Sequence, residues 1–137
     1  MADRMEIDPD LTEWDYGSYE GQTSPEILEA RPGWNLFTDG CPGGETLEQI
    51  SDRADRVISR ISNDGEVTAV FTHGHFGRVI GARWIGLAAT EGRRLLLDPA
   101  SISLLGFEHG NPRTPVLVLW NATDRCITGR SLAGSPI

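Results

Sequence analysis

The sequence predicts a single α/β domain built in three layers, with helices packed on a sheet, and three observations lead there. The run Val67-Thr68-Ala69-Val70-Phe71 is β-branched and aromatic, and it stops abruptly at Thr72-His73-Gly74-His75. A helical pattern (Phe76, Val79, Ile80, Trp84, Leu87) begins at once behind it. Upstream, Leu47, Ile50, Ala54, Val57, Ile58 and Ile61 recur at helical spacing, as the apolar face of a second helix must.

Taken in order, residues 1–13 are polar and interrupted by Pro9, leaving room for at most a short edge strand near 11–13. Residues 14–45 are punctuated by glycine and proline and carry Trp14, Tyr16, Tyr19 and Trp34, which predicts a small cap packed by its aromatic rings. A short helix can start at Pro25 and run to Ala30. Thr46 with Gln49 forms a capping box for a helix over 46–62, and Asn63-Asp64-Gly65 stops it. Strand 67–72, helix 75–87 and strand 101–107 then read as a βαβ-like unit. His109-Gly110-Asn111-Pro112 is a turn signal before strand 116–120, and 131–137 reads as a frayed tail.

The chain has 137 residues, a net charge of -8 and a pI near 4.7, so one domain with a real core is expected. The charge offers no basic stripe to a nucleic acid. No apolar run has the length of a membrane span. Cys41 and Cys126 show neither metal-ligand nor C-x-x-C spacing and suit a reducing cytoplasm.

His73 is the first candidate site residue. A strand that delivers a histidine to a helix start places the imidazole where open α/β sheets bind ligands. Gly74 lets the backbone approach the ligand, and the helix amino terminus offers N–H donors to a phosphate. His75 reads as decoration of the first helical turn, and His109 as a turn residue. Glu13 is the second candidate, the first of three carboxylates (Glu13, Asp15, Glu20) set among aromatic residues and glycines. A carboxylate pressed against aromatic faces keeps its proton to higher pH, as a general acid must. Pro42-Gly43-Gly44-Glu45-Thr46 lacks the ending of a phosphate loop and reads as the approach to a capped helix. Arg93-Arg94 reads as a solvated helix end.

Three blocks in order carry a resemblance: Leu11-x-Glu13-x-x-x-Gly17-x-x-Glu20-Gly21, then Gly44-Glu45-Thr46, then Thr72-His73-Gly74. Over roughly residues 7–120 the chain resembles the histidine phosphatase superfamily in its phosphoglycerate-mutase-like branch. The stretch from Trp34-Asn35 through Asp39-Gly40-Cys41 is similar to its acid and sugar phosphatase members.

The resemblance implies phosphoryl transfer through a phosphohistidine, without metal or cofactor, on a small phosphorylated metabolite. Glu13 would protonate the leaving oxygen, while His73 and Gly74 would bind the phosphoryl group. It also implies a nucleophilic histidine in an Arg-His-Gly motif and a second arginine in Ser-Pro-x-x-Arg-Ala, and neither motif occurs here. The expected fold is therefore phosphoglycerate-mutase-like with an incomplete sheet, a partial domain over 1–137 with a cap at 14–45. Unpaired sheet edges would offer a route to homo-oligomers. Two functions remain open on the sequence: a phosphomonoesterase whose nucleophile lies outside this chain, or a non-catalytic phosphate-binding or protein-interaction remnant.

Overall fold

The computed structural model describes residues 5–63 and 67–123. The expected tail at 131–137, the helix stop at Asp64-Gly65 and Cys126 lie outside them. Four helices, α1 (Ser24–Ala30), α2 (Leu36–Asp39), α3 (Leu47–Asn63) and α4 (Gly74–Trp84), precede two strands, β1 (Ile102–Phe107) and β2 (Pro115–Ala122).

α3 starts where the capping box puts it. The Thr46 N–H donates to Gln49 Oε1 at 2.8 Å, and the Gln49 N–H donates to Thr46 Oγ1 at 3.1 Å. Its apolar face, with Ile50, Ala54 and Val57, packs on Phe76 and Val79 of α4. Trp14 from the preceding loop and Leu36 and Phe37 from α2 join them to close one core. α4 ends at Trp84 rather than 87, because Gly86 takes a positive φ of 78° and turns the chain away.

Residues 14–45 hold no long helix, as their glycines and prolines predict. α1 begins with a capping box between Thr23 and Glu26 and carries Pro25 in its first turn. α2 is capped by Asn35, whose Oδ1 accepts from the Phe37 N–H at 3.0 Å. Trp14 meets Phe37 edge to face, and Tyr19 meets Trp34 the same way. The expected edge strand near 11–13 is absent: Pro9–Leu11 form one 3-10 turn, with Asp8 accepting from the Asp10 N–H.

The fold class is α/β, but its sheet differs from the expectation. β1 and β2 pair antiparallel, and among the described residues 67–72 pairs with neither, so the βαβ-like unit of 67–72, 75–87 and 101–107 is not formed as a sheet. Among the described residues, 67–72 belong to no sheet, and none of their peptide groups bonds to another peptide group. The composition of a strand is present and the partner is not, since a strand exists only through its neighbours. Val67 is 99% exposed and Phe71 87% exposed as a result. The segment is tethered at its end, where Thr72 Oγ1 donates to the Leu11 carbonyl at 2.8 Å. Segment 67–73 and β1 line a common groove of about 920 Å³, floored by Gly77, Ile80 and Trp84 of α4.

Two close approaches demand glycine. A Cβ on Gly17 would lie 2.3 Å from the Gly44 nitrogen, and Gly17 also has φ +52°. A Cβ on Gly81 would lie 2.5 Å from the Trp120 ring, the contact that seats β2 on α4. Gly17→Ala adds left-handed backbone strain to a clash with rigid backbone. It is expected to cost roughly 2–4 kcal/mol, measured as a lower denaturation midpoint with an unchanged m-value.

Candidate active site

The site is assembled at the amino terminus of α4. His73 is the N-cap residue of that helix, and its imidazole is exposed beside the groove. Glu13 reaches the same point from the loop after the 3-10 turn. Its Oε1 accepts from the Phe76 N–H at 2.8 Å and the Trp14 N–H at 2.9 Å, and its Oε2 from the His75 N–H at 3.1 Å. Residues sixty positions apart thus meet around one helix start.

This corrects two expectations. The carboxylate of Glu13 is not simply pressed on aromatic faces but is held by three backbone donors. The helix amino terminus is also not wholly open to a ligand, because two of its N–H groups already serve Glu13, an anion favourably placed at the positive end of the helix. Gly74 faces the groove as expected, and a Cβ there would lie 4.0 Å from Glu13 Oε2. Asp15 and Glu20 are loop-forming groups: Asp15 Oδ1 accepts from the Gly17 N–H and Glu20 Oε1 from the Tyr16 N–H.

Arg53 holds the Glu13 loop in place. It is 8% exposed, and its guanidinium forms two bonds to the Glu45 carboxylate, at 2.6 and 2.7 Å. It donates also to the carbonyls of Asp10 at 2.9 Å, Thr12 at 2.8 Å and Glu13 at 3.4 Å, and it stacks 3.9 Å from the centre of the Phe76 ring. Glu45 is itself fixed, because its carbonyl accepts from Trp14 Nε1 and its N–H donates to the Asp15 carbonyl, each at 2.9 Å. The Gly44-Glu45-Thr46 block is therefore both the approach to α3 and the clamp on the loop that presents Glu13. Arg53 was detectable in sequence, because it falls three residues after Ile50 and four before Val57, a charge on the apolar face of α3.

His75 is not decoration. It is half-buried, its Nδ1 lies 2.6 Å from the Tyr16 hydroxyl, and the Phe37 ring packs against it. Arg78, one turn on, donates to the carbonyls of Gly92 and Arg93 at 3.0 Å and lies over Phe37. Burial lowers the Arg78 pKa, and the nearby Glu13 opposes that shift. Arg93 and Arg94 end a 3-10 segment, Ala89–Arg94, and pair with Glu91. His109 lies in a turn, with φ +50°. Among the described residues no group of three His, Cys, Asp or Glu side chains is arranged to hold a metal ion, and no helix is long and apolar enough to cross a membrane.

The chain belongs to the histidine phosphatase superfamily, branch 1, whose family model matches residues 2–123. It is 45% identical over 111 residues to an acid phosphatase of Mycobacterium tuberculosis, covering 80% of this chain and 55% of that protein. It is 42% identical over 105 residues to sedoheptulose 1,7-bisphosphatase of Saccharomyces cerevisiae, covering 64% of this chain and 39% of the relative. The solved structure of an open reading frame from Mycobacterium tuberculosis superposes with a TM-score of 0.79 at 41% identity, over 87% of this chain and 61% of that one. The chain thus spans about half the length, or less, of the curated relatives it matches.

Two measurements probe the loop that carries Glu13. Arg53→Met leaves the buried Glu45 carboxylate unpaired and is expected to cost roughly 3–5 kcal/mol in urea unfolding. Asp10, on the same loop, bonds Arg56 and Arg60. The Arg56 hydrogen bond, aided by that of Arg60 and opposed by burial, holds its carboxyl below the usual range. A depressed folded-state pKa stabilises fully above the ordinary carboxylate value and ceases to do so as pH falls through the lowered one. Asp10→Asn should therefore flatten the loss of melting temperature between those two values, measured across an acid series.

Proposed function

We propose that this chain forms part of a phosphomonoesterase that works through a phosphohistidine and acts on a small sugar phosphate or a similar ester. The observation that carries the reading is the convergence of Glu13 and His73 on one helix amino terminus at the mouth of a groove. In this reading Glu13 gives a proton to the leaving oxygen. His73 and the Gly74 backbone bind the phosphoryl oxygens, where positioning and charge stabilisation carry most of the catalysis. The phosphatases among its relatives support the substrate class. Residues 14–45 would act as the cap over the substrate within the partial domain 1–137. The protein would work in the cytoplasm, without cofactor, metal or nucleic acid.

By itself the chain is expected to be inactive. Its histidines are His73, His75 and His109, and none stands in an Arg-His-Gly motif. His73 sits beside the phosphoryl group in this reading, whereas displacement needs a nucleophile in line with the leaving oxygen. The unpaired segment 67–72 and the open groove support a completing strand that brings the nucleophile. They equally favour a second reading, a non-catalytic module whose exposed edge pairs with a partner or with another copy of itself.

The test is turnover of p-nitrophenyl phosphate by the chain alone and with an added segment that carries an Arg-His-Gly motif. Background rates alone are expected. The added segment should give turnover that falls by roughly 10²–10⁴ in Glu13→Ala and is lost in His73→Ala. Phosphate binding with no turnover under either condition would favour the non-catalytic module.

A further inference from the structure

Tyr16 and His75 stand outside every role assigned above. They come from elements 59 residues apart, yet their polar atoms meet at 2.6 Å, with the rings edge to face at 5.7 Å. The Phe37 ring lies a further 5.7 Å from His75, so the imidazole is walled by two aromatic faces. The backbone N–H of this same His75, with that of Phe76, holds the Glu13 carboxylate. Anything that fixes the His75 ring therefore fixes the turn of helix that grips Glu13.

We propose that Tyr16 and His75 are a positioning pair, in which the phenol donates to Nδ1 of a neutral imidazole and so sets the first turn of α4 that aims Glu13 at the groove. A phenol keeps its proton and donates, and an imidazole that accepts at Nδ1 must carry its own proton on Nε2. The surroundings agree on both counts. Burial pushes the Tyr16 hydroxyl well above its ordinary value, reinforced by Glu13 through both its charge and a hydrogen bond to the phenol, and then by Glu20 and Cys41. Burial pushes His75 down, the Glu13 carboxylate opposes this, and Arg78 adds to it. A cationic His75 could only donate to the phenol oxygen, so the pair holds in the proposed direction only while the ring is neutral. The aim of Glu13 at a phosphate ester rests on the phosphatase reading, but the pair itself does not.

The experiment is NMR on the full 137-residue chain, comparing Tyr16→Phe, His75→Asn and His75→Ala with the unaltered protein. Long-range ¹⁵N–¹H correlations should show His75 neutral and protonated on Nε2, titrating below the ordinary histidine range. Tyr16→Phe should mix the two tautomers and move that titration upward, because a hydrogen bond to the neutral form is gone. The amide protons of His75 and Phe76 should move upfield together as their bonds to Glu13 weaken. Asparagine places an acceptor where Nδ1 stood, so His75→Asn should keep the Phe76 amide near its original position, while His75→Ala should not. A protonated Nδ1 in the unaltered protein overturns the proposal. So does a Phe76 amide that stays put in both Tyr16→Phe and His75→Ala. None of these readings needs turnover, so a failed phosphatase assay leaves them intact, and their failure leaves the assay to stand by itself.

Discussion

The structure depends most on one buried arginine. Arg53 leaves α3 on the face that should be wholly apolar, and its guanidinium spends its donors on Glu45 and on three carbonyls of the 10–13 loop. A loop of that kind has no ladder or helix to satisfy its carbonyls, so a forked donor is the economical way to order it. The Phe76 ring beneath the guanidinium ties the same residue to α4. Core packing, loop conformation and the placement of Glu13 are consequently one problem with one solution.

The second constraint is electrostatic and lies at the start of α4. A helix amino terminus carries unpaired donors and partial positive charge. Glu13 supplies the compensating anion from a different part of the chain, so the helix and the loop hold each other. His73 occupies the N-cap position of the same turn, makes no side-chain cap bond and remains exposed. The groove alongside is mostly apolar along β1 and residues 67–71, with Thr68 and Ser103 as polar exceptions, and Glu13, Thr72 and His73 border it at one end.

Much of this was legible in the residues. The α3 capping box, the periodicity of both long helices, the aromatic packing of 14–45 and the family all follow from local pattern and spacing. Glu13 and His73 were singled out for the same reason, because each sits in a short motif that local pattern displays. The strand at 67–72 was read from composition that is truly β-forming, yet strand pairing depends on a neighbour that composition does not name.

What the sequence by itself determined is therefore the helices, the turns and the residue types that can do phosphate chemistry, since these depend on contacts within a few positions. What only the tertiary structure decided are the long-range pairings: Arg53 with the 10–13 loop, Glu13 with the amides of α4, and Tyr16 with His75. It decided equally that β1 pairs with β2 while 67–72 finds no strand partner among the described residues. Each is a meeting of groups distant in the chain. Local propensity carries no information about such meetings, because they form only when the packed core brings the two surfaces together.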